Sequence, residues 1–391
     1  MSAADGLVPE LIYIDLNHWV GLSKARLGQA SAGAYVGALA ALRSAISSGR
    51  AVVPLSSTHY MEISRIASAQ RRADLALTMG EISRYVTLPS REAFLRYQFR
   101  ASLAAELRAT HSGPAPAITG HGFGHAFGHR AQLELRGPDP HRFAADHVDE
   151  FIPRLEDHTG YGWKFTPSET SRSPLELMNE ALDASAQFRM LMGPADKNEP
   201  ELRALGFKPS AAYDVVDAIT RREEDLASQL AADPKWKQRL NDIIDARALY
   251  WDLADDWDLA VADVWPRVVT MDEFGKERLT RILRRIPIVA IESAIRRSNF
   301  QNGSHKWRKN DIHDSDFVGS AVTYCDVVVT EKHLRDQLRR EGIDRQYGAV
   351  VLSQAGDLTA YLEGNLEVPA VAEGPPHGTV ATDEPADRRG S

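Results

Sequence analysis

The chain has 391 residues, of which 43% are hydrophobic and 26% are charged, and its formal net charge at pH 7 is −8. This length and apolar content suffice for a full core in one large domain or in two ordinary ones. The acidic balance argues against a nucleic-acid-binding coat over the whole surface, although it leaves room for a local basic patch beside an acidic site.

The cysteine content and the hydropathy of the chain indicate the cellular compartment. A single cysteine, Cys325, excludes an intramolecular disulfide and a cysteine-based zinc site. No apolar run approaches the length that crosses a bilayer, and residues 1–10 lack the basic-then-apolar pattern of a signal peptide. These observations predict a globular cytoplasmic protein that is not associated with a membrane.

Residues 8–90 alternate between strand and helix patterns. An apolar strand at residues 11–15 ends in Asp15, and a second strand at residues 51–55 follows a helix. The next helix carries Glu62 in or near its first turn. Strand, helix, strand and helix in this order predict a parallel α/β unit with a right-handed crossover.

The middle of the chain shows helix and loop patterns without a convincing strand. Residues 91–108 predict a helix, and a loop rich in helix breakers follows at residues 111–140. Two long helices are predicted further on, at residues 211–231 and 236–262. We therefore predict a large all-helical insertion or subdomain over residues 91–286.

Strand and helix patterns return over residues 287–364. Residues 287–291 favour a strand, although the same run could open a helix. Further strands are predicted at residues 327–329 and 349–352, with helices before, between and after them. We expect this portion and the first one to share a single sheet, which makes the α/β domain discontinuous in sequence. Residues 369–391 lack apolar periodicity and are predicted to form a disordered tail.

Acidic side chains are concentrated near the predicted strand ends and helix starts. They are Asp15, Glu62, Asp311, Asp314, Asp316, Asp326 and Glu331. Ligands of a parallel α/β sheet bind outside the carboxyl ends of its strands. Carboxylates gathered there repel one another and lose hydration unless a cation lies among them, and a hard divalent cation is the usual partner. The pattern predicts a metal-dependent phosphodiesterase.

The order of these motifs resembles the PIN-domain family of nucleases. The matching pieces are residues 12–17 (IYIDLN), the helix with Glu62, residues 310–314 (NDIHD) and residues 324–332 (YCDVVVTEK). The resemblance covers roughly residues 8–90 and 286–364 and does not extend to the middle of the chain. It implies a PIN-like fold, in which helices flank a parallel sheet, with the helical region inserted into it.

The resemblance also implies a chemistry. In this family three or four acids gather one or two Mg²⁺ or Mn²⁺ ions at the end of the sheet and hydrolyse RNA, less often DNA. Asp15 matches the first acid, Glu62 the second, and one of the three aspartates at positions 311 to 316 the third. Many members have Thr-x-Asp where this chain has Thr330-Glu331-Lys332, so the fourth acid stays open between Asp326 and Glu331. Water as the nucleophile implies 5′-phosphate and 3′-hydroxyl product ends.

A basic segment with two aromatic residues, at residues 296–309, directly precedes the aspartates. Cations for phosphates and rings for unpaired bases are what recognition of single-stranded RNA uses. We therefore predict RNA as the substrate and partner of this segment and of polar residues beside the acids. The residues expected to contact it are Trp307, Arg308, Lys309, Asn17 and Thr330.

Two further clusters compete for a metal. His121, His125 and His129 are four residues apart, but the glycines between them oppose a helix, so a loop is predicted there. The acidic and aromatic run at residues 252–258 favours a helix with one packed and one solvated face. Cys325 lies among apolar residues and is predicted to be a core thiol.

Other interpretations stay open. Each acid taken alone is equally typical of a strand end, a helix cap or a solvated helix face. The same fold could act on DNA, or it could be a catalytically inactive scaffold that binds a partner through the helical region. The sequence specifies neither a regulatory partner protein nor the oligomeric state.

Overall fold

The computed structural model describes residues 8–111, 113–127, 184–194, 211–265 and 270–366. The description does not extend to the side chains of residues 186, 211–215, 310 and 313–316. The predicted tail and most of the predicted loop at residues 111–140 lie outside the described ranges.

The described elements are short strands and many helices. The strands are β1 (Glu10–Ile14), β2 (Ala51–Val52), β3 (Val86–Thr87), β4 (Gly120–His121), β5 (Val327–Val329) and β6 (Val350–Leu352). The helices up to residue 127 are α1 (Leu16–Arg26), α2 (Tyr35–Ser47), α3 (Ser57–Arg65), α4 (Ala69–Ser83), α5 (Arg91–Leu107) and α6 (Gly122–Ala126).

More helices follow in the second half of the chain. They are α7 (Ala184–Met192), α8 (Ala211–Ala232), α9 (Pro234–Gln238), α10 (Leu240–Arg247), α11 (Ala254–Val264), α12 (Met271–Arg284), α13 (Pro287–Gln301), α14 (Lys309–Tyr324), α15 (Lys332–Arg340), α16 (Ile343–Tyr347) and α17 (Ala355–Leu362). A 3₁₀ helix spans Ala30–Ala32, and a π-helix spans Ala248–Leu253. None of the described helices is both long and apolar enough to cross a lipid bilayer.

Four parallel strands form the central sheet in the order β2-β1-β5-β6. At the carboxyl ends of the strands, Ile14 of β1 pairs with Val329 of β5, which pairs on its other side with Leu352 of β6. Since β1 and β2 lie near the start of the chain and β5 and β6 near its end, the prediction of one sheet built from two distant portions is confirmed.

Alternate residues of the central strands face opposite layers of helices. Ile12 and Ile14 of β1 pack with residues of α1, α2, α4 and α17. Tyr13 faces the other layer, which is formed by α13, α14 and α15. The three residues of β5 are fully buried valines, and burying each such side chain contributes about 1.5–3 kcal/mol. The predicted α/β class, a parallel sheet flanked by helices, is therefore confirmed.

Part of the middle of the chain packs against the same layers. Helix α5 contacts α11, α12 and α13, and α7 contacts α3 and α4. The prediction that this part contains no strand is wrong at β4, which pairs antiparallel with β3. A strand of two residues has no periodic pattern, and β4 forms because β3 offers its backbone as a template beside Leu55.

Three further segments differ from the prediction. Residues 287–291 are not the favoured strand but begin α13, the alternative that the sequence left open, with Pro287 in the first turn, where its missing N–H costs nothing. Helix α1 was not predicted, because its apolar and polar residues are not segregated onto two faces. The single helix predicted at residues 236–262 is divided into α9, α10, the π-helix and α11.

Candidate functional site

Two acids from opposite ends of the chain meet where β1 and β5 end. The amide of Asp15 donates to the carbonyl of Val329 at 2.9 Å, which continues the pairing of the two strands by one residue. The amide of Thr330 likewise donates to the carbonyl of Leu352 at 2.9 Å. Asp15 is the N-cap residue of α1 and Glu331 that of α15, so both acids lie at the turn from strand to helix. The parallel sheet thus brings Asp15, Thr330 and Glu331 to one edge.

Asp15 has a buried side chain with a raised pKa. Its side chain belongs to a residue only 5% exposed, and among the described residues its Oδ2 accepts no hydrogen bond. Burial raises the pKa of Asp15 to about 6, and the negative charge of Glu331 acts in the same direction. The amides of Leu16 and Asn17 and the hydroxyl of Thr330 lower this pKa by smaller amounts. No positively charged group therefore compensates the negative charge of the Asp15 carboxylate among the causes of its pKa shift.

Glu331 lies at the exposed side of the same edge. Asn17 Nδ2, from the first turn of α1, donates a short hydrogen bond to Glu331 Oε1. Both side chains are exposed, whereas Thr330 is fully buried. Asn17 remains accessible to a substrate. Thr330 faces the acid instead of an open surface, which corrects the prediction that it contacts RNA.

The oxygen donors of this edge fit a hard divalent cation. Asp15 supplies a buried anionic oxygen without a partner, and Glu331 supplies a second carboxylate beside it. Mg²⁺ and Mn²⁺ prefer such donors and usually retain waters in their remaining positions. No three His, Cys, Asp or Glu side chains form a complete ligand group among the residues that the structure describes. The described residues of this edge therefore provide two carboxylates, those of Asp15 and Glu331.

Tyr13 connects this edge to the elements that carry the other predicted acids. Its ring is stacked between His59 of α3 and Phe317 of α14, with centroid distances of 5.0 Å on each side. Helices α3 and α14 also contact each other. Burial raises the pKa of the Tyr13 hydroxyl, and the charges of Asp15 and Glu62 raise it further. Glu62 is half-buried, and its charge acts on the same tyrosine hydroxyl as the charge of Asp15.

The three aspartates of α14 have different positions. The carboxylate of Asp311 accepts the amide of Arg308 at 2.6 Å and lies 3.4 Å from His305 Nε2. Asp311 is the N3 residue of a capping box at the start of α14, and the N-cap residue is Arg308, not an aspartate. Asp314 and Asp316 lie in the next turn of the helix, and their side chains are outside the described residues.

Asp326 does not belong to the site of Asp15. It precedes β5, and its Oδ2 accepts the amide of Leu11 at 2.7 Å, at the amino end of β1. In parallel strands, the amino and carboxyl ends of three paired residues are about 10 Å apart. The prediction that Asp326 is a catalytic and metal-binding residue beside Asp15 is therefore corrected, and Glu331 is the acid that the sheet brings to the carboxyl edge.

The predicted substrate-binding segment is only partly accessible. Trp307 is 5% exposed and packs with Val216 and Ile312, so its ring is not available to stack on a base, which corrects that prediction. Lys309 is exposed but forms an ion pair with Asp217 at 2.5 Å. Arg308 is exposed.

The competing clusters have structural roles where they are described. His125 lies in α6 and is buried, and its Nδ1 is 2.9 Å from Thr87 Oγ1, so the predicted loop is a short helix. His129 lies outside the described residues. In the run at residues 252–258, Trp257 is buried and Asp258 is exposed, which confirms a helix with packed and solvated faces. Cys325 is fully buried, as predicted for a core thiol.

Two buried histidines beside the acids were not identified from the sequence. His18 Nε2 lies 3.1 Å from the carbonyl oxygen of Thr330, and His59 Nε2 lies 2.8 Å from that of Ile14. His59 occupies the capping-box position of α3, three residues after the N-cap Ser56, which is the one local signal that marks it. His18 carries no such signal, because its partner lies at the far end of the chain.

Fold and site together define an α/β protein with a carboxylate pair at the carboxyl edge of its parallel sheet. Comparison of the chain with protein-family profiles, curated proteins and solved structures finds no match.

Proposed function

We propose that the protein is a divalent-metal-dependent endoribonuclease. The observation that carries the proposal is the meeting of Asp15 and Glu331 at the sheet edge, with Asp15 Oδ2 buried and unpartnered among the described residues. A buried carboxylate beside a second acid is unfavourable without a counter-charge. Such arrangements are typical of functional sites, and a bound cation resolves the conflict.

The roles of the residues follow from their positions. Asp15 and Glu331 hold Mg²⁺ or Mn²⁺, and Asn17 orients the Glu331 carboxylate through its hydrogen bond. When bound, the ion stabilises the charge on the phosphate oxygens and lowers the pKa of water. Glu62 and the aspartates Asp314 and Asp316 are proposed as further ligands, on the basis of the contact between α3 and α14.

The proposed reaction is hydrolysis without a covalent enzyme intermediate. The oxygen of one water attacks phosphorus, the bond between phosphorus and the 3′ oxygen breaks, and the leaving 3′ oxygen takes up a proton. The products have 5′-phosphate and 3′-hydroxyl ends. The choice of RNA is supported by the resemblance to PIN-domain nucleases and by the exposed cations Lys306 and Arg308 at the start of α14.

The test is cleavage of a labelled single-stranded RNA and a matching DNA with Mn²⁺, Mg²⁺ or a chelator. We expect metal-dependent cleavage of RNA that falls about 100-fold or more in Asp15→Asn and in Glu331→Gln. The matched control is Asp326→Asn, which removes an acid at the other end of the sheet and should leave the rate unchanged.

Four results would contradict the proposal. Cleavage that persists in chelator excludes the metal, and cleavage that survives both substitutions excludes the site. Cleavage of DNA alone moves the substrate class to DNA. A folded protein that binds no metal and cuts neither substrate supports an inactive scaffold instead.

A further inference from the structure

Two histidines on different helices have the same arrangement at the two strand ends. His59 of α3 lies with Nε2 at 2.8 Å from the carbonyl oxygen of Ile14, and His18 of α1 lies with Nε2 at 3.1 Å from that of Thr330. Ile14 directly precedes Asp15, and Thr330 directly precedes Glu331. Each histidine therefore holds the peptide unit that leads into one of the two acids.

The hydrogen-bond partners fix both rings. A carbonyl oxygen only accepts, so Nε2 of each ring carries the proton and donates it. The amide of Ser56 donates to His59 Nδ1 at 2.9 Å, which confirms that this nitrogen is an acceptor. At His18, the hydroxyl of Tyr35 lies 3.0 Å from Nδ1 and donates to it when the ring is neutral. Burial lowers the pKa of both rings, to about 4 for His59, which favours the neutral form.

The peptide unit before Asp15 is held at both of its polar atoms. Its carbonyl, on Ile14, accepts from His59, and its amide, on Asp15, donates to Val329. At the second strand end, His18 reaches across from α1 and binds the carbonyl beside Glu331. Asp15 is the N-cap residue of α1, and the same helix carries His18, whose ring binds the backbone carbonyl next to Glu331.

We propose that His18 and His59 are positioning residues that set the placement of the Asp15 and Glu331 carboxylates relative to each other. This inference rests on the proposed function, because the placement matters through the affinity of the pair for Mg²⁺ or Mn²⁺. Groups that orient metal ligands without touching the ion typically change metal affinity 10–100-fold when they are removed.

A purely structural role for the histidines makes a different prediction. If the two rings only satisfy buried carbonyls, their removal lowers the free energy of unfolding and leaves the affinity of the folded protein for a cation unchanged. Cation affinity measured on folded protein therefore separates the two roles, and a conservative substitution that keeps the N–H donor sharpens the distinction.

The experiment is a calorimetric titration of the full chain with Mn²⁺, with folding checked by circular dichroism. We expect His18→Leu to weaken Mn²⁺ binding about 10–100-fold. His18→Gln, which keeps an N–H donor, should restore most of the affinity. Tyr35→Phe frees His18 Nδ1 and should weaken binding by a smaller factor. The matched control is Tyr361→Phe, because the Tyr361 hydroxyl bonds Glu10 Oε1 at 2.9 Å, at the start of β1.

Each outcome decides a different point. If the wild type binds no Mn²⁺, the proposed function fails and the inference fails with it. If the wild type binds Mn²⁺ and the folded His18→Leu and Tyr35→Phe variants bind it equally tightly, only the positioning role of His18 is overturned. If His18→Leu does not fold, an unchanged affinity of Tyr35→Phe for Mn²⁺ likewise overturns the positioning role of His18. His59→Leu and His59→Gln test the other strand end in the same way.

Discussion

Burial of the Asp15 carboxyl lowers the stability of the folded protein at neutral pH. Its pKa of about 6 lies well above the ordinary value of 3.8, chiefly because the carboxyl is buried. One pKa unit corresponds to about 1.4 kcal/mol, so ionisation of Asp15 at neutral pH costs the metal-free folded state about 2–3 kcal/mol. A bound cation would offset this cost.

The pH dependence of stability tests this cost. A carboxyl whose pKa is higher in the folded state binds more protons there, so stability decreases as the pH rises between about 4 and about 6. In chelator, the free energy of unfolding of the wild type should therefore fall relative to Asp15→Asn over this range, by about 2 kcal/mol. Denaturant unfolding at pH 4 and pH 7.5 measures the difference. A difference between the two proteins that does not change with pH would contradict the raised pKa.

Part of the candidate site could be predicted from the sequence. Asp15 and Glu331 follow apolar strands, and the rule for parallel sheets places such residues at one edge. Asp326 was predicted to join them, although it precedes its strand, and the structure places it at the opposite edge, against the amide of Leu11. The burial of Trp307 depends on contacts with Val216, distant in sequence, and no local pattern indicates it.

At the level of elements, the packing of α1 on α2 controls the position of His18. Gly21 of α1 lies directly against the ring of Tyr35, and a Cβ built on Gly21 would lie 2.3 Å from Tyr35 Cζ. The hydroxyl of the same tyrosine bonds His18 Nδ1. The absence of a side chain at Gly21 therefore lets the tyrosine reach the histidine.

Substitution of this glycine tests the close approach. Gly21→Ala gains about 0.5–1 kcal/mol of helix propensity, but the overlap with Tyr35 should cost more, for a net loss of about 1–2 kcal/mol. The matched control is Gly37→Ala on α2, where a Cβ meets Thr359 Oγ1 at 3.5 Å, an ordinary contact. Urea unfolding of both variants measures the two effects. A stabilising Gly21→Ala would show that the ring moves aside at no cost.

Elements with a clear apolar pattern could be predicted from the sequence, and short or unpatterned ones could not. The strands β1 and β5 were predicted closely because each is a continuous apolar run ended by polar residues. Helix α1 was missed because its buried face includes His18, Gly21 and Ser23, which do not form an apolar stripe. Strand β4 owes its existence to a partner strand, which no local pattern encodes.

Across the molecule, a buried network of charges joins the helices that surround the sheet. Its members are Arg91, Arg247, Arg296, Glu223, Asp252 and Glu292, three arginines and three acids. Arg91 binds both oxygens of Glu292 at 2.6 Å, and Arg247 lies 2.7 Å from Glu223. The network connects α5, α8, α10 and α13, and α13 packs against α14. It thereby supports the layer of helices that packs against Tyr13.

Neutralising one acid of this network should be far more damaging than neutralising an exposed one. Glu292 is 1% exposed, and Glu292→Gln leaves the three arginines of the network with only two acids, which should cost about 3–5 kcal/mol. Glu81→Gln is the control, because Glu81 pairs with Arg26 and Arg43 at the surface and should cost about 1 kcal/mol or less. Denaturant unfolding compares them, and equal small losses would contradict a structural role of the network.

Coordination of one divalent cation by Asp15 and Glu331 is tested most directly by anomalous diffraction from crystals grown with Mn²⁺. We predict an anomalous peak within about 2.5 Å of Asp15 Oδ2, next to the Glu331 carboxylate, that is absent from crystals of Asp15→Asn. A Mn²⁺ peak at another place, or none at this edge at concentrations that saturate binding in solution, would contradict the assignment of the site.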